Sequence, residues 1–167
     1  MSQKRSLNAF TAFRIAFGLV WFIDGLIKFA FLQPSDIVNM VQTAGQGQPS
    51  WLHPWYSFWL SSVSSSPAAA YYSIGAIEIL LGLVLIAGFL RKPVYIVGIL
   101  YSLMIWAVAE GFGGPYGPGS TDIGTAVIYA FVFVMMIIAE RSAKFGDYSL
   151  DALIIGRWNS WKRLSEL

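Results

Sequence analysis

The stretch Ala9–Leu32, AFTAFRIAFGLVWFIDGLIKFAFL, decides how this chain is read. It exceeds the roughly 20 mainly apolar residues that a helix needs to cross a bilayer. Three charges interrupt it: Arg14, Asp24 and Lys28. Wound as a helix, it places Arg14, Gly18, Trp21, Gly25 and Lys28 on one stripe, with Asp24 on the edge of that stripe. A charge at the bilayer centre costs roughly 2.5–3.5 kcal/mol on insertion scales, so such a stripe is expected to face protein. Lys4 and Arg5 ahead of the run imitate the start of a signal peptide. The run is too long for one, carries internal charge and lacks a small-residue cleavage site, so it reads as a retained span.

Working outward, three further segments have the length and composition of spans: about 68–90, 93–110 and 122–139. Ser66 and Pro67 read as N-cap and first residue of the second. Arg91-Lys92-Pro93 reads as a very short turn into the third, and Ser120 or Thr121 as the cap of the fourth. Short connections make the second, third and fourth helices antiparallel neighbours. The expected fold class is all-α: an integral membrane, antiparallel four-helix bundle with added interfacial helices, forming a single domain over 1–167.

Lys and Arg set the expected topology. They occur before the first span, at Arg91 and Lys92, and after the fourth span at Arg141, Lys144, Arg157, Lys162 and Arg163; residues 33–90 and 111–121 hold none. The alternation predicts a multi-pass protein of the inner (cytoplasmic) membrane with both termini cytoplasmic, an outer segment at 33–66 and a cytoplasmic tail at 140–167.

Composition agrees. The chain is 56% hydrophobic and only 12% charged, against about 25% charged in soluble domains. Eleven basic and nine acidic residues, with the bases in short clusters beside apolar runs, argue against a nucleic-acid partner and for membrane lipid. With no Cys, the chain offers no disulfide, thiolate metal site or iron–sulfur ligation. One histidine, His53, supplies no haem-ligand pair. No metal, haem, iron–sulfur or flavin group is expected.

Two segments outside the spans are amphipathic. In 33–66, Ser35-Asp36 followed by Ile37, Val38, Met40 and Val41 reads as a short helix. Trp51, Trp55 and Trp59 recur every four residues, which suits either an interfacial anchor or a cover over a site between the helices. In the tail, Leu150, Leu153 and Ile154 give an apolar side, and Trp158 and Trp161 sit beside Arg157, Lys162 and Arg163. That reads as a helix on anionic inner-leaflet lipid.

The intramembrane charges carry the functional reading. Asp24 lies roughly 12 Å from the outer end of its helix, and Glu78 about 15 Å down the second. Lys28 can pair with Asp24 at i,i+4. Glu110 and Asp122 stand at the outer ends of the third and fourth spans; Arg14 alone is in the inner half. Gly75 and Gly82 share a side with Glu78 and permit close helix approach. These charges form either an internal ion-pair network, with Arg14 snorkelling inward or capping a carbonyl, or a polar pocket open to the outer side. In the second reading Glu78, Glu110 and Asp122 move protons. Lys28, Asp24, Arg14, Trp21, Trp106 and Tyr116 are then the candidate ligand-binding residues. The loop GFGGPYGPGSTDIG (111–124) is either a compact turn or, through bare glycine N–H groups beside a helix N-terminus, a ligand-lining loop.

The chain resembles the DoxX/DoxD group of small bacterial and archaeal membrane proteins, the DoxD side most. The resemblance rests on Arg14 with LVWFIDGLIKF, on YYSIGAIEILLGLVLIAG with Glu78 and Gly82, on the Arg91-Lys92 turn, and on EGFGGPYGPGSTDIG from Glu110 to Gly124. It spans about residues 9–139; the segment 33–66 maps to no feature of the group. It implies a four-helix membrane bundle acting as the small subunit of a thiosulfate:quinone oxidoreductase. The ligand would be a non-covalent quinone and the partner a second oxidoreductase subunit. Arg14, Lys28, Glu78, Glu110 and Asp122 are the matching positions. Against this quinone-linked reading stand a non-enzymatic membrane scaffold or assembly subunit and a small-molecule or anion transporter, the last needing a homo-oligomer.

Overall fold

Apolar residues on every side and no internal proline let residue after residue of the opening stretch stay helical, and α1 runs Ala9–Phe31. Gln33 and Pro34 then end it and open the next helix. The computed structural model describes residues 9–116, 122–142 and 148–165. Lys4, Arg5, Ser120, Thr121 and Lys144 lie outside them, as does the part of the glycine-rich loop at 117–121. The chain is all-helical in the described residues: α1, α2 (Pro34–Gly45), α3 (His53–Ser65), α4 (Pro67–Ala87), α5 (Arg91–Val108), α6 (Thr125–Ser142), α7 (Leu150–Ile155) and α8 (Lys162–Ser165). Three of them, α1, α4 and α5, are long and apolar enough to cross a membrane by length and composition. Large apolar side chains such as Leu80, Leu100 and Phe131 stay exposed, which is consistent with a membrane-spanning protein surrounded by lipid.

Helix boundaries depart from expectation in two informative places. The third helix begins at Arg91, not Pro93. Gly88 closes α4 in the left-handed region at φ 64°, with its N–H on Leu85 and that of Phe89 on Val84. Leu90, also left-handed at φ 51°, starts α5 at once. The turn is thus shorter than read, and Arg91 is buried. The fourth helix begins at Thr125, not Asp122. Ser66 does precede α4, but its side chain makes no capping bond.

Helix pairing differs as well. The most extensive contacts join α1 to α4 and α5 to α6, while α4 and α5 meet over much less of their length. Small residues explain the first pair. A methyl built at Gly82 would lie 2.5 Å from the Phe22 amide nitrogen, and one at Gly18 would lie 2.9 Å from the Gly82 carbonyl oxygen. Without a hydrophobic drive between helices in lipid, such close backbone approach supplies the packing energy. Gly82→Leu is therefore expected to push α1 from α4 and to lower the melting temperature sharply in detergent or nanodiscs. An unchanged melting curve would show that the helices are held otherwise. In the second pair, Gly98 receives the ring of Phe133. Between the two pairs lies an aromatic core: Phe17 against Phe133 at 5.0 Å, and Trp21 against Tyr129 at 5.4 Å and Tyr101 at 5.8 Å.

The segment 33–66 folds onto the end of α5. Asp36 accepts from Gln33 N at 2.7 Å and caps α2, which buries Ile37, Val41 and Ala44. Gln48 donates to Ala44 and Gly111 carbonyls, at 3.0 and 2.9 Å. Trp55 and Tyr56 both donate to the Ala107 carbonyl, at 3.3 and 3.0 Å. Burial raises the Tyr56 phenol above its ordinary pKa, so it remains a neutral donor.

At the opposite end, the tail is two short helices joined by a 3-10 turn at Asn159–Trp161 rather than one interfacial helix. Asp151 holds it. Fully buried, it accepts from Leu90 N at 2.9 Å, Arg91 N at 3.0 Å and Trp161 Nε1 at 2.9 Å, and pairs with Arg91 Nε at 3.3 Å. Arg91 also pairs with Glu140 at 2.7 Å. Trp161 stacks on Phe89, so this tryptophan is a docking residue; Trp158 remains exposed.

Candidate functional site

Glu78 sits in the middle of α4 on its Gly75–Gly82 face, fully buried. An isolated carboxylate there would be very costly. Lys28 compensates it from the neighbouring helix, 2.7 Å from Glu78 Oε2, and also pairs with Asp24 one turn earlier on α1 at 3.1 Å. Tyr101 on α5 donates to Glu78 Oε1 at 3.4 Å. The register of α1 against α4, set by their glycines, is what brings these groups together. Of the three ammonium donors, one bonds Asp24 while Glu78 is held in ion-pair contact; no acceptor beyond these two carboxylates is found among the described residues. One base thus faces two carboxyl groups.

Beside the group lies a half-open cavity of about 630 Å³. Asp24, Lys28, Glu78 and Tyr101 line its polar side, and Trp21, Tyr129, Ile77, Met104 and Ile105 its apolar walls. Tyr129 stands within Coulombic reach of Asp24, Lys28, Glu78 and Glu110. Ile37, Met40 and Val41 of α2 and Trp59 and Val63 of α3 complete the lining. The segment 33–66 is thus a wall of the cavity, which favours the reading of its tryptophans as a cover. That role falls to Trp59; Trp51 is largely exposed.

The remaining candidates divide. Glu110 lines the cavity too, but both its carboxylate oxygens accept the Ala126 N–H, at 3.2 and 3.0 Å. It caps α6, where a negative charge is favoured. Glu110→Ala is expected to cost about 1.5 kcal/mol, as for a hydrogen bond to a charged group, seen as a lower unfolding midpoint. Asp122 accepts from Gly124 N at 2.7 Å, Trp106 donates to the Ile123 carbonyl at 2.6 Å, and Tyr116 donates to the Phe112 carbonyl. None of these three lines the cavity; their bonds shape the link between α5 and α6.

Arg14 is also remote from the cavity. Buried at the other end of α1, it donates to the Leu85 and Ile86 carbonyls in the last turn of α4 and to Tyr148 in the tail, the last at 2.6 Å. Carbonyls in the last turn of a helix lack the full set of partners inside the helix; the Leu85 carbonyl accepts from Gly88 N as well as from Arg14. Arg14 is therefore a capping residue, as the ion-pair reading of the charges allowed.

Sequence reasoning missed Tyr101 and Tyr129 at the cavity, and Asp151 and Glu140 at the tail. A tyrosine hydroxyl within an apolar run must find a partner, and that signal marks Tyr101. Nothing local marks Asp151 apart from its place between apolar residues. Comparison of the chain with protein-family models, curated proteins and solved structures finds no match.

Proposed function

We propose that the chain is a quinone-interacting small subunit of a membrane oxidoreductase, built as an antiparallel bundle of four spans with both ends cytoplasmic. The observation that carries this reading is the Lys28–Glu78–Asp24 group at the wall of an otherwise apolar cavity of about 630 Å³. Small-molecule sites combine such walls with a few convergent polar groups. A quinone, when bound, supplies a two-electron, two-proton couple. Lys28 offers its remaining N–H to a ring oxygen, which orients the head. Glu78 and Asp24 would relay to the ring oxygens the two protons that reduction takes up, directly or through water.

The electrons must come from a partner subunit, because the chain has no Cys and a single His. On the DoxD-like reading two thiosulfates yield tetrathionate and two electrons on that partner. Transport of a free anion is the weaker alternative: Asp24, Glu78 and Glu110 outnumber Lys28 at the cavity and repel it.

The test is to purify the chain in native lipid, identify bound small molecules by mass spectrometry, and assay quinone reduction with thiosulfate. Binding without turnover is expected. No binding at saturating quinone leaves the scaffold reading, and turnover by the isolated chain removes the need for a partner. Because the chain lacks Cys, Tyr116→Cys provides a single labelling site, expected to react only from the outer face. Labelling from the cytoplasmic face would overturn the topology.

A further inference from the structure

The cavity has to be reached, and the helix pairing shows where. The α4–α5 connection is a tight turn at Gly88–Leu90, yet the two helices share little contact beyond it. Tyr101 links them, donating weakly to the Ile74 carbonyl at 3.5 Å as well as to Glu78. Around this link the flanking side chains both line the cavity and remain exposed: Ile77 on α4 and Met104 on α5. From them two exposed apolar rows run along the outside of the helices, Ile77–Leu80–Leu83 and Val97–Leu100–Met104. Spacings of three and four residues keep each row on one face.

The other edge of the cavity is different. An open groove between α2 and residues 109–115 shares Met40, Ala109 and Glu110 with it and carries Asp36, Asn39 and Thr43. This polar, acidic mouth suits water and protons. The segment 33–66 does not swing freely there, since Gln48, Trp55 and Tyr56 pin it to the carbonyls of Ala107 and Gly111.

We infer that the cavity is entered sideways from lipid, through the gap between α4 and α5 at Ile77 and Met104, by a molecule whose head stops at Lys28 and whose hydrocarbon tail lies along the two apolar rows. The inference rests on the proposed quinone site for the identity of the head. The gap itself stands independently, on exposure and helix contact. A lipid-soluble ligand reaches Lys28 without leaving the membrane, and an ionic one is turned away at the same apolar gap.

The experiment plugs the gap. Ile77→Trp with Met104→Trp adds bulk at two exposed positions, so folding is expected to survive and is checked by an unchanged melting curve. Should the double variant unfold, Met104→Trp alone carries the comparison. Protein in nanodiscs is illuminated with a phospholipid bearing a diazirine near the end of its acyl chain, and labelled residues are mapped by mass spectrometry. Labelling of Tyr101 and Ile105 in the wild type, lost in the plugged variant, supports the gap. Labelling confined to the outward rows in both proteins, or equal labelling of Tyr101 in both, overturns it.

A long isoprenoid quinone and a short-tailed water-soluble one are then titrated. The plugged variant is expected to lose about tenfold more affinity for the first than for the second; equal loss of both, or of neither, refutes the tail placement. Failure of the wild type to bind either quinone rejects the proposed function, while the labelling pattern still decides whether the gap admits lipid.

Discussion

Replacing Lys28 with methionine is expected to lower quinone affinity by about ten- to a hundredfold, the value of one charge-assisted hydrogen bond, and to destabilise the fold. Glu78 is fully buried, and its carboxylate oxygen at 2.7 Å from the ammonium loses its compensating charge. Breaking one side of a buried pair costs about 3–5 kcal/mol. Lys28 retains some exposure to the cavity, which places the loss at the lower end. The double replacement Lys28→Met with Glu78→Met removes the stranded charge, and buried pairs replaced by apolar residues of similar volume are often neutral or better. Thermal unfolding in nanodiscs should therefore show a deep drop for the single variant and a largely restored midpoint for the double one, with quinone affinity lost in both. If binding survives in either variant, Lys28 does not hold the head. If the single variant melts like the wild type, the pair is not coupled as its geometry implies.

The second large effect is expected far from the cavity. Asp151→Ala removes the acceptor for Leu90 N, Arg91 N and Trp161 Nε1, together with one of the carboxylates paired with Arg91. A loss of about 3 kcal/mol follows from leaving a buried guanidinium partly compensated, with Glu140 still beside it. The tail should then leave the turn between α4 and α5, and limited trypsin treatment should cut at Arg157 and Lys162 well before the rest of the chain. Asp151→Asn keeps an acceptor but not the charge and should fall between. Equal protease resistance of Asp151→Ala and the wild type would mean that the tail is held through Arg14 and Tyr148 instead. Quinone binding is the control, since none of the described tail residues lines the cavity.

These two expectations differ in how far the sequence anticipates them. The Asp24–Lys28 pair is legible at i,i+4, and its nearness to Glu78 follows from counting rise per residue inward from the same end. The stripe of α1 from Arg14 to Gly25 is legible because only one side of an apolar helix tolerates charge and glycine in lipid. What does not follow is which group each charge meets. Glu110 and Arg14 look alike as intramembrane charges, yet one caps α6 beside the cavity and the other caps the end of α4 at the far end of the molecule. Asp122, Trp106 and Tyr116 stand near the candidate site in sequence, but none of the three lines the cavity.

Local physics, then, is what the chain alone determines: lengths of apolar helices, their charged stripes, the amphipathic character of 33–66 and the pairing of residues one turn apart. Each depends on rise, periodicity and the cost of charge in lipid, all of which act over a few residues. Tertiary structure alone decides that α1 lies on α4 rather than α4 on α5, that Arg91 is buried under Asp151 and Glu140, and that Trp59 and the α2 side chains wall a cavity ending at Lys28. Those outcomes rest on contacts between residues tens of positions apart, where backbone approach at Gly18 and Gly82 and the fit of aromatic rings choose among pairings that a one-dimensional pattern leaves equal.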